Sequence, residues 1–331
     1  MFHLTKSGQK LYYEIHGNKS SHETLVFLNG LTQSTQSWNF VVPYFQQNFK
    51  IILLDFIFQG QSDKHGIWKS FDEHAEDLKS LLQELKIYDA NILGISYGSV
   101  VAQHFAVNHP KFLKRLILIS TFAHKTPYYD ALELGWWRAL ESGGYNLMID
   151  IMLPASLSES YFSNPLIPIE TMRQMRRERN LSTETLINLM RATKERKDYR
   201  NELKKISMPT LIIQGEKDLL FPVHVAEEVH KKIKNSKFVI IKNAGHTLNL
   251  EHVPEVCNTI KEFLSTHFIP VYPKGSSIPE QQSIFIKHAQ QILSNYQEAM
   301  EKLNNQYGRL DAVITRLDNA DLDVTAAKAN L

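Results

Sequence analysis

Three residues far apart in the chain have the types that acyl-transfer chemistry needs: Ser96, Asp218 and His246. Ser96 sits in Gly94-Ile95-Ser96-Tyr97-Gly98, where an apolar run gives way to a segment with helical spacing. A serine hydroxyl is a poor nucleophile at neutral pH unless a base lies within hydrogen-bond reach. It must also stand out from the backbone, which a tight strand-to-helix turn flanked by glycines achieves. Its partners are expected in the order acid, then histidine, each in a loop after a later strand. "LIIQGEKD" ends in Asp218, with Glu216 as the close competitor; the spacing to Pro222, where a helix would start, favours Asp218. "VIIKNAGH" puts His246 in a small-residue turn after the next apolar run, whereas His252 falls near the start of the last helix and reads as structural. The oxyanion of a tetrahedral intermediate needs amide donors. The N–H of Tyr97, next after the serine, is one. The N–H of Leu31 in "LNGLTQST" is the other, with Gly30 letting the chain turn there.

The surrounding elements are of the kind that can hold such residues. "KLYYEIHG" alternates like an antiparallel strand, and "TLVFLNG", "KIILLDF", "ANILGIS" and "LKRLILIST" are short apolar runs that read as strands buried on both faces. Between them, "DEHAEDLKSLLQEL" has helical spacing, with Asp72 in the cap position. Strand–helix alternation argues for a mainly parallel sheet covered by helices. Residues 122–207 break the pattern with several helices, "YDALELGWWRALES" and "STETLINLMRATKER" among them. The alternation then resumes through "PTLIIQGEKD", "HVAEEVHKKI" and "KFVIIKNAGH" to a closing helix, "PEVCNTIKEFLSTHF". This predicts an α/β domain over residues 1–270 with a helical cap at about 122–207, a linker at 271–283 and a helical tail at 284–331.

At this point the sequence resembles the α/β-hydrolase superfamily. The resemblance rests on "LNGLTQSTQSW", "DFIFQGQSD", "GISYGS", "QGEKDLLFP" and "NAGHTLNLEHVPE", which occur in the family's order. It implies an eight-stranded sheet with an antiparallel second strand and a cap inserted after the sixth. It implies Ser96 as nucleophile, His246 as base and Asp218 as its orienting acid, acting on esters, thioesters, lactones or related bonds without a cofactor. Two loops depart from the common pattern: Asn29-Gly30 stands where His-Gly is usual, and Asp55 to Ser62 reads D-F-I-F-Q-G-Q-S in place of D-x-R-G-x-G-x-S. Those loops are similar to the branch holding the rhamnolipid-precursor synthase and hydroxyacyl transacylases, which implies acyl transfer from carrier-protein thioesters as an alternative.

The cap supplies further candidates. Trp136, Trp137, Tyr128, Tyr129, Met148 and Met152 give its first half an apolar, aromatic character that suits an acyl or aryl substrate. Residues 171–205 carry eleven Lys/Arg and five Asp/Glu, either a solvated cap surface or a docking face for an acidic partner. The cluster has no recognisable nucleic-acid-binding motif, and the net charge of +2 over 331 residues does not suggest such a role. The chain has one cysteine, Cys257, and no apolar run of the ~20 residues that span a bilayer, so a cytoplasmic protein is expected. No metal-ligand motif or dinucleotide fingerprint is present, and no cofactor is implied. In the tail, Ile286, Leu293, Met300, Tyr307 and Ile314 interleave with Ala289, Tyr296, Leu303, Leu310, Leu317 and Val324 at heptad spacing. A helix with one apolar seam needs a partner, so self-association or a protein partner through residues 284–331 is expected. A third functional alternative is then a ligand-binding sensor that signals through this helix. The phrase "YGRLDAVITRLDNADLDVTAAKANL" resembles the C-terminal helix of flagellin-type proteins.

Overall fold

The computed structural model describes residues 1–179 and 181–266. The expected linker and heptad tail, with the partner expected there, lie outside the described residues. Eight strands form one sheet: β1 (Phe2–Leu4), β2 (Lys10–Gly17), β3 (Thr24–Leu28), β4 (Lys50–Leu54), β5 (Ala90–Ile95), β6 (Leu113–Ile119), β7 (Thr210–Gly215) and β8 (Ser236–Ile241). Their order is β1-β2-β4-β3-β5-β6-β7-β8. β2 is antiparallel to both its neighbours, and every pair from β4 to β8 is parallel. β3, β5 and β7 are buried along their whole length, as continuous apolar runs flanked by helices should be. β8 is an edge strand and only partly buried, with Ile240 turned outward.

The chain direction through the sheet reverses beside β3: β4 lies on one side of it and β5 on the other. The carboxyl ends of β3 and β5 therefore open a crevice at which ligands of open α/β sheets bind. The loop carrying Leu31 follows β3, and Ser96 follows β5.

Helices α1 (Phe71–Glu84) and α2 (Tyr97–Asn108) pack against each other and cover this central region. The first is capped differently from the expectation. Ser70, not Asp72, is the N-cap: its hydroxyl accepts from the Glu73 N–H, and the Glu73 carboxylate accepts from the Ser70 N–H at 2.7 Å. This reciprocal capping box satisfies two amides at once, which a lone Asp72 cap would not. Asp72 is instead in the first turn, accepting from His104 and Asn108 of α2 at 2.8 Å each.

Between β6 and β7 the chain forms the cap from α3 (Pro127–Ser156), α4 (Glu159–Ser163), α5 (Ile169–Arg179) and α6 (Thr183–Lys194). α3 is two helical runs meeting at Gly144, whose φ of 68° and ψ of −163° are non-helical. After β7 come α7 (Val223–Lys232), then α8 (Leu248–Glu251) and α9 (Val253–Thr266) beyond β8.

His74 on α1 is 1 % exposed, wedged between the rings of Phe56 (5.0 Å) and Tyr97 (5.7 Å). Burial, with a smaller contribution from the Lys69 ammonium, lowers its pKa from 6.5 to about 3. The fold thus holds a neutral imidazole. An unfolded chain takes up this proton as pH falls through about 6.5, while the folded chain does so only near 3, so stability declines across that window. His74 alone should cost about 2–3 kcal/mol between pH 7 and 4.5. Denaturant unfolding at both pH values, for wild type and His74→Leu, checks this: the variant should lose less stability on acidification, and equal losses would remove His74 as the cause.

Candidate active site

Ser96 lies directly between β5 and α2 with φ 51° and ψ −115°, outside the regions that L-residues favour. The turn is closed by its neighbours. The Ser96 N–H donates to the Ile119 carbonyl of β6 at 2.9 Å, and the Ser96 carbonyl accepts from the amides of Ser99 and Val100. Glycine is required on both sides for a contact reason. A Cβ on Gly94 would lie 2.3 Å from the Gly98 carbonyl oxygen, and one on Gly98 would lie 2.3 Å from that of Leu28 at the end of β3. The helix start is pressed against two strand ends, and the serine is pushed out into the crevice.

Asp218 follows β7 and is fully saturated. Its Oδ1 accepts from the amides of Leu220 and Phe221, both at 2.9 Å; its Oδ2 accepts from Gln214 Nε2 at 2.7 Å and lies 2.8 Å from His246 Nδ1. The carboxylate is completely buried and the imidazole nearly so. With Nδ1 committed to Asp218, the other ring nitrogen of His246 is left for the cavity, which Ser96 also lines. Glu216, the competing acid, faces elsewhere and accepts from the Asn243 amide. His252 is partly exposed beside Glu255.

The loop bearing His246 is held by two residues that the sequence does not single out. Ser120, buried and at φ 49°, donates its hydroxyl to the His246 carbonyl at 2.7 Å. Glu251 accepts from the amides on either side of the histidine, Gly245 at 3.0 Å and Thr247 at 3.1 Å, and from Ser158 of the cap at 2.9 Å. Only the five-residue spacing from His246 could have pointed to Glu251; for Ser120 no sequence signal exists.

The loop after β3 rests on a buried polar network. Asn29 Nδ2 donates to the Leu54 carbonyl (2.8 Å) and to Asp55 Oδ1 (3.1 Å), and Asn29 Oδ1 accepts from Trp38 Nε1 (2.8 Å). Burial pushes the Asp55 carboxyl upward, opposed by the amides of Gln61 and Thr35. Leu31 and Tyr97 both line the cavity, and among the described residues neither backbone amide has a hydrogen-bond acceptor.

The cavity has a volume of about 480 Å³. One wall is a run of aromatic rings leading from the histidine: Phe221 lies 5.8 Å from His246, both Phe122 (3.8 Å) and Tyr129 (4.7 Å) stack on Phe221, and Trp136 is edge-on to Tyr129. Of the expected pocket residues, Trp136 lines the cavity, joined by Tyr129 and Met152. Trp137, Tyr128 and Met148 do not. Adjacent helical residues point about 100° apart, so Trp137 turns away beneath the Lys194 ammonium and Tyr128 faces solvent. Met148, beyond the break at Gly144, is buried within the core instead.

The basic cluster is interleaved with acids. Arg173 pairs with Asp150, Arg200 with Asp198 and Glu228, and Lys205 with Glu202, while Arg196 lies over the Phe122 ring. Among the described residues no group of three or more His, Cys, Asp or Glu could hold a metal ion, and no helix is long and apolar enough to cross a membrane.

Residues 23–253 match the family model described as alpha/beta hydrolase fold. A putative 2-succinyl-6-hydroxy-2,4-cyclohexadiene-1-carboxylate synthase from Bacillus subtilis is 27 % identical over 263 residues, covering 75 % of this chain and 92 % of that protein. An (R)-3-hydroxydecanoyl-ACP:CoA transacylase from Pseudomonas aeruginosa is 21 % identical over 284 residues, covering 82 % and 93 %. Among solved structures, a thermophilic esterase from Thermogutta terrifontis superposes with a TM-score of 0.72 at 25 % identity, covering 80 % of this chain and 98 % of its own.

The contact at Gly98 makes a direct prediction. Gly98→Ala must separate α2 from the end of β3, at a cost of about 1–3 kcal/mol for overpacking. Thermal unfolding should show a lower Tm for this variant; an unchanged Tm would mean that the elbow is not closed by this contact.

Proposed function

The chain belongs to the α/β-hydrolase fold family, and on that premise we propose that it is a serine hydrolase of carboxylic esters or thioesters with an apolar acyl group. The observation that carries this reading is the buried 2.8 Å contact between Asp218 and His246, on the cavity that Ser96 also lines. In the reaction, Ser96 Oγ attacks the acyl carbon and passes its proton to His246. Asp218 holds the imidazole in one tautomer and stabilises it when charged. The carbonyl π pair moves onto oxygen, where the Leu31 and Tyr97 amides receive it. The tetrahedral intermediate then collapses, the leaving group takes the proton from His246, and the acyl group remains on Ser96. Water, deprotonated by His246, repeats the sequence and releases the acid.

The aromatic wall favours an apolar acyl or aryl group. A cavity of about 480 Å³ is in the lower half of the range of ~300–1,000 Å³ for small-molecule sites, which suits short and medium chains over long ones. The second reading, transfer to a hydroxy acid or thiol acceptor, draws support from the Asn29 and Gln59 loops and from the transacylase relative. It shares every step up to the acyl-enzyme. Against a basic docking face for a carrier protein stand the acidic partners of Arg173, Arg200 and Lys205.

Hydrolysis of p-nitrophenyl esters from acetate to decanoate tests the proposal. Turnover is expected to peak before decanoate and to fall about 10⁴-fold or more in Ser96→Ala with the fold intact. Asp218→Asn, which keeps the shape but favours the wrong imidazole tautomer, should lose about 10⁴-fold in kcat. Serine-independent turnover would overturn the mechanism. Product analysis with an added hydroxy acid separates the two readings, since hydrolysis leaves a free acid and transfer leaves a new ester.

A further inference from the structure

We propose that Gln59 is a positioning residue for the oxyanion site, its side-chain amide clamping the Gly30–Leu31 segment so that the Leu31 N–H faces the reacting oxygen. The inference rests on the acyl-transfer reading above. Gln59 is 2 % exposed, in the loop after β4. Its Nε2 donates to two consecutive carbonyls, Gly30 at 2.8 Å and Leu31 at 3.0 Å. A trans peptide is planar and directs its N–H opposite to its C=O. Drawing the Gly30 oxygen inward to Gln59 therefore turns the Leu31 N–H the other way, away from the buried amide. The second bond fixes the next peptide plane, so Leu31 cannot rock. The preceding amide is already committed: Gly30 N–H donates to Gln33 Oε1 at 2.9 Å. The Gln33 N–H is committed too, to the Gly30 carbonyl at 3.1 Å, and the Leu31 N–H has no acceptor among the described residues.

The orientation of the Gln59 amide is itself determined. Its Oε1 accepts from Asn29 Nδ2 at 3.3 Å and from the Phe56 N–H at 3.4 Å. Reversing the amide would set nitrogen against two donors and oxygen against two carbonyls, so only one assignment satisfies all four groups. Asn29 is locked in turn by Leu54, Asp55 and Trp38. A donor fixed in this way needs no reorganisation when charge develops on the substrate oxygen.

Gln59→Met keeps the length and bulk of the side chain and deletes both N–H groups; Gln59→Glu keeps the acceptor toward Asn29 but sets oxygen against the two carbonyls. Both are compared in the full chain with wild type and Ser96→Ala, using p-nitrophenyl butyrate and an alkyl trifluoromethyl ketone, whose adduct oxygen would occupy the oxyanion site. The clamp predicts that kcat falls about 10- to 100-fold in both variants with KM close to wild type. The ketone's inhibition constant should rise by the factor by which kcat/KM falls. A purely structural role would lower the titratable fraction of sites and leave the ketone affinity of the remainder unchanged; that result overturns the proposal, as does wild-type kcat in Gln59→Met. Turnover surviving in Ser96→Ala would remove the acyl-transfer reading and the clamp with it, whereas an inactive Ser96→Ala beside a fully active Gln59→Met removes the clamp alone. Should neither Gln59 variant fold, NMR of the wild-type ketone adduct decides: the Leu31 amide proton must move downfield on adduct formation, and its failure to move overturns the proposal.

Discussion

The arrangement depends on how closely α2 is pressed against the ends of β3 and β5. Ser96 adopts a backbone conformation that costs a non-glycine residue of order 1–3 kcal/mol, and it does so in a turn with carbonyl oxygens of two elements 2.3 Å from where a Cβ at Gly94 or Gly98 would stand. The strain persists because the surroundings over-determine it. The Ser96 N–H is held by β6, its carbonyl by two amides of α2, and the helix beyond it is buried over most of its length. Releasing the turn would break all of these together. The same close approach brings the loop after β3 beside the serine, so one packing constraint locates both the hydroxyl and the Leu31 amide.

Strands buried on both faces create a second constraint. Polar side chains at their carboxyl ends are out of water, and each buried polar group left unpaired costs about 1–3 kcal/mol. The sheet meets much of this with two buried networks. Behind the loop after β3, Asn29, Asp55, Gln59 and Trp38 satisfy one another; beyond β7, Gln214 and two amides leave the Asp218 carboxylate one direction in which to accept, toward His246. Such networks are rigid where a rotamer change breaks several bonds at low dielectric, although Gln214 Oε1 has no hydrogen-bond partner among the described residues. Orientation at the cavity is thus inherited from satisfaction in the core.

This explains which features were legible in the sequence. The sheet was readable because continuous apolar runs have few alternatives, and Ser96, Asp218 and His246 stood out because each follows such a run at a turn; the structure gathers all three around one crevice. Side-chain direction was less readable. Trp136 and Trp137 are indistinguishable by composition, and only the phase of α3 separates them. The break at Gly144 destroys any phase carried from one half of that helix to the other, so neither Met148 nor Met152, both beyond it, could be placed from the first half. Ser70 outcompeted Asp72 through a reciprocal bond with Glu73 whose spacing was present in the sequence. Gln59 and Ser120 act through backbone groups distant in sequence, and no period or motif in the sequence marks such contacts.

The cap is tied to the loop that carries His246. Thr247 donates both its N–H and its hydroxyl to the Ser156 carbonyl, and the Glu251 carboxylate joins the Ser158 amide to the amides flanking the histidine. These bonds run from the end of α3 to residues adjacent to the imidazole, so displacement of that segment loads the histidine directly. Of the cap residues that touch the cavity, Tyr129, Trp136 and Met152 make none of them, whereas Ser156 both lines the cavity and accepts from Thr247. Lining and anchoring therefore meet at Ser156 and are separate at Tyr129, Trp136 and Met152. Substitutions at Tyr129, Trp136 or Met152 can reshape the cavity while the His246 loop keeps its anchors, whereas loss of the Glu251 carboxylate removes the acceptor of the amides on both sides of His246.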